Sequence, residues 1–174
     1  MAIDLQAFCD EECQPRYARK DSLNLTRPFE IELQFPWASG TYAAATDAAI
    51  IVVSKQPLPW FPPGPFPKVH VALADFPQDR PRKWRKLPEP RRCAECNGLG
   101  VLKHTCESWY CRRTHYGRTC DKCQLSIGKK RLSQWYANKI RSLPDAAIWS
   151  DDADPCSPIW FRFIGGFGAV MPTA

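Results

Sequence analysis

No stretch of this sequence approaches the roughly 18 consecutive apolar residues of a membrane-spanning helix. The first residues, MAIDLQAFCDEEC, lack the charged-then-apolar pattern of a secretion signal. The expectation is therefore a soluble, cytoplasmic protein with no membrane partner. A Walker loop, a Rossmann glycine fingerprint and a G-x-S-x-G nucleophile elbow are all missing. No H-x-E element is followed by P-C-x-x-C, which disfavours a zinc deaminase. No cysteine sits in a papain-like or caspase-like motif. These gaps remove the familiar nucleotide-dependent and hydrolytic classes. The expectation is a protein that is not an enzyme and takes no small-molecule substrate.

What the chain has in abundance is cysteine: nine in 174 residues, six of them with two histidines in CAECNGLGVLKHTCESWYCRRTHYGRTCDKC. Two C-x-x-C pairs, Cys93/Cys96 and Cys120/Cys123, bracket this run with 23 residues between them. A C-x-x-C turn aims two thiolates at one point about 2.3 Å from a tetrahedral zinc ion, and two such turns complete a four-thiolate shell. An odd cysteine count without a secretion signal argues against a disulfide framework. Inside the bracket lies His104-x-Cys106-x4-Cys111-x3-His115. Two readings stand: a second, two-cysteine two-histidine zinc site nested in the first, or surface histidines beside free thiols. Either way the ligands would all come from protein, as in structural zinc sites. Catalytic zinc keeps a position open for water. Cys9, Cys13 and Cys156 are expected to be small buried hydrophobes. His70, in an apolar stretch, is expected to be packed rather than catalytic.

Charge is unevenly spread. From Arg80 to Arg131 there are fifteen Lys/Arg and four Asp/Glu, a balance of +11, and the remainder has nine against fourteen, a balance of −5. A four-thiolate zinc site, itself −2, would bring the basic segment to +9. Such asymmetry suggests an anionic partner, although a solvated surface would look the same. Arg82, Lys83, Trp84, Arg85, Lys86, Arg91 and Arg92 precede the bracket; Arg112 and Arg113 lie within it; Lys129, Lys130 and Arg131 follow. Cations release counterions from phosphate, and an interleaved tryptophan can stack on unpaired bases. These residues are the candidate nucleic-acid contacts.

The remaining segments predict an α+β body: an antiparallel sheet, one main helix and the inserted zinc-binding finger. Phe29–Phe35 alternates apolar and polar, the period of a half-buried strand. Thr41–Ser54 reads as a hairpin turning at Thr46-Asp47, and Ile50–Val53, apolar on both faces, should be central. Residues 56–90 hold ten of the seventeen prolines and should be extended or looped, with a short strand at Val69–Leu73. That stretch is either a connector packed on the body or a docking segment. Lys129–Leu143 has helical periodicity and ends at Pro144. Ala146–Trp149 predicts a strand, and Ile159–Met171 a hairpin turning at Gly165-Gly166. Asp151, Asp152 and Asp154 should form a solvated loop. The division is residues 1–55 and 129–174 for the body, 56–92 for a proline-rich basic connector and 93–128 for the finger.

Cys93-Ala-Glu-Cys96-Asn-Gly98-Leu-Gly100 resembles the C-x-x-C-x-G-x-G repeat of the cysteine-rich zinc domain of DnaJ-type co-chaperones. The central pair departs from that pattern, the last pair lacks the glycines, and there is no J-domain signature, so co-chaperone activity does not carry over. Tyr42-Ala-Ala-Ala-Thr46-Asp47 resembles a stretch of sliding-clamp repeats, and the final Ala169-Val170-Met171-Pro172 resembles their closing strand. The order of these segments is similar to that of uncharacterised phage and prophage proteins with a cysteine-rich insertion. The resemblance implies a body like half of a sliding-clamp domain, no enzymatic activity and a bacterial host cytoplasm. Two functions are consistent with it. One is an accessory protein that binds nucleic acid through the finger. The other is a module that binds a host protein, as an inhibitor of a host or defence protein would, through the finger and the proline-rich loop.

Overall fold

The computed structural model describes Leu5 and residues 29–47, 49–56, 72–77, 84–90, 92–105 and 114–173. Its centre is a seven-stranded antiparallel sheet. The strands are β1 (Phe29–Phe35), β2 (Ala38–Thr46), β3 (Ile50–Ser54), β4 (Arg85–Lys86), β9 (Ala147–Ser150), β10 (Ile159–Phe163) and β11 (Gly166–Val170). They lie in the order β1-β2-β3-β11-β10-β9-β4. Two hairpins complete the strands: β5 (Val101–Thr105) with β6 (Thr114–Thr119), and β7 (Leu125–Ile127) with β8 (Lys130–Leu132). The helix α1 (Gln134–Ser142) follows β8. The α+β class expected from the sequence is the class observed.

Strands β2, β3, β9, β10 and β11 divide their side chains between two cores, because successive residues face opposite sides of a sheet. Ile50, Val52, Ile148, Ile159, Phe161, Phe163 and Val170 join Ala137 and Ile140 of α1 on one face. Leu125, Ile127 and Leu132 of the β7–β8 hairpin belong to that same core, so the packed body resumes at Leu125. The opposite face is aromatic: Trp149, Trp160 and Phe167 with Phe29, Ile31 and Leu33 of β1, beneath Leu73 and Phe76. Strand β3 lies between β2 and β11 and is almost wholly buried, as its two-sided apolarity predicted. The β2–β3 connection is built on Asp47. One carboxylate oxygen accepts the Ala49 and Ile50 amides at 3.0 and 2.9 Å, and the other accepts the Tyr136 hydroxyl of α1 at 3.0 Å.

Three local expectations change. The helix begins at Gln134 rather than Lys129, because Lys130–Leu132 pairs with β7 across a turn at Gly128 (φ +60). Ala72 and Leu73 lie in a helical turn, not a strand, and Val69–Val71 fall outside the described residues. The last hairpin turns at Ile164-Gly165, leaving Gly166 paired with Phe163. The expected helix near the N-terminus lies outside the described residues except for Leu5, which is helical and buried.

Gly166 and Gly168 have a packing role. They pair with Phe163 and Phe161, whose rings lie across the glycines: a Cβ on Gly168 would sit 2.2 Å from the Phe161 ring and 2.1 Å from the Ile51 carbonyl. Since the backbone carbonyl cannot move aside, Gly168→Ala is expected to cost about 1–3 kcal/mol, the usual range for overpacking. Phe161→Ala, which empties a fully buried site, should cost about 3–5 kcal/mol. Urea unfolding checks both, and wild-type stability in Gly168→Ala would contradict the close approach.

Candidate metal centre

The two C-x-x-C turns come from different local structures. Cys93–Cys96 opens a run of turns ahead of β5, and Cys120–Cys123 enters a short 3-10 turn between β6 and β7. The β5–β6 ladder joins them. Val101 pairs with Thr119, and the Cys120 amide donates to the Gly100 carbonyl at 2.8 Å, so the two turns face each other. The sulfurs of Cys93, Cys96, Cys120 and Cys123 all lie within 4.8 Å of one another. Cys93 and Cys120 sulfurs are 3.7 Å apart, and those of Cys96 and Cys123 are 3.3 Å apart. Tetrahedral bonds of about 2.3 Å require sulfur separations of about 3.8 Å. These four residues, three of them buried, can therefore hold a metal ion.

Backbone N–H groups are already turned toward the sulfurs. Asn97, Gly98 and Gly100 adopt positive φ (50, 79 and 80°), which folds the chain back over Cys96. The Gly100 amide then donates to the Cys96 sulfur at 3.3 Å. Burial raises the Cys96 thiol, but the Gly100 amide and the neighbouring Cys123 and Cys93 thiols outweigh it, bringing it down to about 7. Burial dominates at Cys120 and Cys123 and pushes both thiols up. An ion binding here would displace protons from buried thiols, so its affinity is tied to folding. At equivalent positions of the two turns, Glu95 and Lys122 form an exposed ion pair, of small energetic weight.

The same glycines fasten the centre to the body. A Cβ on Gly100 would lie 2.2 Å from the Trp135 amide nitrogen, so the loop and the first turn of α1 are in backbone contact. Gln134, fully buried, donates its side-chain amide to the Gly98 carbonyl at 3.0 Å, and Asn138 donates to the same carbonyl at 2.9 Å. Arg141 holds Asn138 at 2.7 Å and also reaches the Pro88 carbonyl at 2.6 Å. Sequence reading had not singled out Gln134, Asn138 or Arg141. The available signal was a cluster of amides one helical turn apart, facing a glycine loop that must find donors for its carbonyls.

The inner quartet is placed only in part. The ladder sets His104 directly opposite His115. Cys106 and Cys111 lie outside the described residues, as do Cys9 and Cys13. Cys156 is exposed, not buried as expected. It follows a turn in which its amide donates to Asp154 at 2.9 Å, which turns it away from the core. The acidic loop is pinned at Asp152. The Lys129 amide at 3.2 Å and the Ser150 hydroxyl at 3.1 Å donate to its carboxylate. Chiefly through the Lys129 amide, this holds the carboxyl below its usual range.

Of the candidate nucleic-acid contacts, Arg85, Lys86, Arg92, Lys129 and Arg131 are exposed. Arg82, Lys83, Arg91, Arg112 and Arg113 lie outside the described residues. Two do not have the expected placement. Lys130, between two exposed cations, is buried by the two-residue alternation of β8 and donates to the Ser157 carbonyl at 2.6 Å. Burial lowers its ammonium pKa, against the opposing pull of Asp154, Asp151 and Asp152. Trp84 packs on the aromatic face, 5.6 Å from the Phe76 ring, with the Arg162 guanidinium 4.9 Å above it. A ring held between those partners is not a free platform for a base.

No protein-family model matches the chain, and neither a curated protein nor a solved structure matches it. No helix among the described residues is long and apolar enough to cross a membrane.

Asn138→Ala removes two donations to the glycine loop (Gly98 at 2.9 Å and Leu99 at 3.3 Å) without touching a sulfur. It should lower unfolding stability by about 1–2 kcal/mol, the worth of one or two hydrogen bonds. Metal content should stay unchanged. An unaltered unfolding midpoint would show that the centre is not fastened to α1.

Proposed function

We propose that this chain is a zinc-stabilised, non-enzymatic accessory protein of the phage type its sequence resembles. In this reading its basic segment binds nucleic acid. The supporting observation is the closed four-sulfur cluster inside the +11 segment. Tetrahedral thiolate sites suit zinc or iron, and paired C-x-x-C turns with no open position fit structural zinc. Zinc would order the loop that carries Arg92 and fix it against the helix. The half-clamp body remains part of the proposal, supported by the Thr46-Asp47 turn and the closing hairpin.

Contact would rest on phosphate neutralisation by Arg85, Lys86, Arg92, Lys129 and Arg131. Base stacking by Trp84 is withdrawn, since that ring is packed. The alternative, a module for a host protein, draws support from Leu99, an apolar side chain 39% exposed on the glycine loop.

Elemental analysis is expected to find one zinc per chain, lost in Cys123→Ser. Two ions would assign the second to His104, His115, Cys106 and Cys111. Neither zinc nor another metal in the purified protein would end the metal reading. Four to six phosphate contacts give a log affinity–log salt slope of roughly −3 to −5, at about 0.7–0.9 per contact. Replacing Arg85, Lys86 and Arg92 with alanine should flatten the slope by about 2–3 by the same rule, with zinc retained. No detectable binding in roughly 50 mM salt, where counterion release is favourable, would sink the nucleic-acid reading. Salt-tolerant capture of one host protein that survives nuclease would establish the alternative.

A further inference from the structure

The aromatic face of the sheet carries an open groove of about 720 Å³, far from neutral in its lining. Its floor is Trp149 and Trp160, directly paired across β9 and β10. Phe76 stands edge-on to Trp160 at 5.6 Å, and Trp37 lies 5.0 Å from Phe76. Three carboxylates, Asp75, Asp151 and Asp154, complete the lining, and no lysine, arginine or histidine lines it among the described residues. Asp75 is exposed and has no polar partner among the described residues. The Asp151 and Asp154 carboxylates each accept one local backbone amide, at 3.0 and 2.9 Å, which leaves acceptor capacity on both. Behind this loop, the Lys130 ammonium bonded to Ser157 offsets one of the three charges. The groove remains electronegative, and all of its lining comes from outside Arg80–Arg131, the part of the chain whose balance is −5.

We propose that this groove binds a basic peptide segment of a partner protein through an arginine side chain. The Trp149, Trp160 and Phe76 rings are packed, each less than a tenth exposed, so they offer an apolar wall for the methylene stem of the arginine while its charge goes to the rim. Carboxylates at the rim accept its N–H groups in charge-assisted bonds. The volume falls within the roughly 300–1,000 Å³ range of ligand sites. Because the groove is open on one side, a chain can run along it while one side chain enters. A polyanion is excluded by the same charges, so the site is independent of the nucleic-acid reading and does not compete with it.

The probe is acetyl-Ala-Arg-Ala-amide, compared with the same peptide carrying citrulline, which keeps the shape and removes the charge. Tryptophan fluorescence of the full chain reads binding. The arginine peptide should give a saturable change and bind about tenfold more tightly than the citrulline peptide, the worth of one charge-assisted bond. Asp75→Asn with Asp154→Asn should weaken it by a similar factor at an unchanged melting temperature. Should the double variant fold poorly, Asp75→Asn alone, at an exposed position, still reads the effect. Equal binding of the two peptides, no saturation, or wild-type affinity in the folded variants would overturn the proposal. Displacement of the arginine peptide by oligothymidylate would overturn it too, while leaving the phosphate-binding reading intact.

Discussion

The backbone contact between the Gly98–Gly100 loop and the first turn of α1 is the constraint on which the metal centre's position depends. Gly100 lies so close to Trp135 that no side chain fits between them. Gln134 and Asn138 fill the Gly98 carbonyl from the helix side. Such a contact works only if the loop keeps positive φ at three residues, Asn97, Gly98 and Gly100. The sulfur cluster stabilises that conformation, because the Gly100 amide that approaches the helix also donates to Cys96. The helix and the cluster therefore hold the loop from opposite sides. Energy put into either should stiffen the other, in the way that metal binding and folding are linked generally.

From α1 the constraint passes into the sheet. Tyr136, two residues after Gln134, ties the helix to Asp47, which closes the β2–β3 turn. Ile140 and Ala137 press on the face formed by Val52, Phe161 and Val170. Gly168 lets the Phe161 ring lie flat across β11, which is why an aromatic residue fits in so narrow a space beneath the helix. Sequence-remote parts thus converge on one short helix of nine residues. Its small size is offset by contacts on both flanks.

Patterns with a strict period were legible in the sequence. The alternation of Phe29–Phe35, the two-faced apolarity of Ile50–Val53 and the terminal hairpin each follow from side-chain period alone. The same is true of the bracketing cysteine pairs, whose spacing defines a site without knowledge of the rest of the fold. The sequence was ambiguous where one pattern served two structures. Leu132 fits a helical stripe with Trp135, Tyr136, Ile140 and Leu143, but it also fits the three-residue strand that β7 pairs with, and pairing decided the matter. Lys129, Lys130 and Arg131 read as one basic run, yet alternation in that strand sends the middle side chain inward to Ser157. The packing of Trp84 was invisible for a different reason: its partners Phe76 and Arg162 are distant in the chain or separated by prolines.

Charge segregation gives the molecule two unlike surfaces. One is the cationic surface of β4, Arg92 and the β7–β8 turn. The other is the aromatic groove with its carboxylates. They come close at the loop after β9, where Asp152 is bound by the Lys129 amide while Asp151 and Asp154 line the groove. The acidic loop therefore serves two structural purposes. One carboxylate closes the basic hairpin's turn from within, and the others shape the electronegative groove. Carboxylates so near the cations also weaken the positive field of that surface. Their position follows from the fold: the loop after β9 lies between the β7–β8 turn and the aromatic face, so the hairpin takes one carboxylate and two are left at the groove.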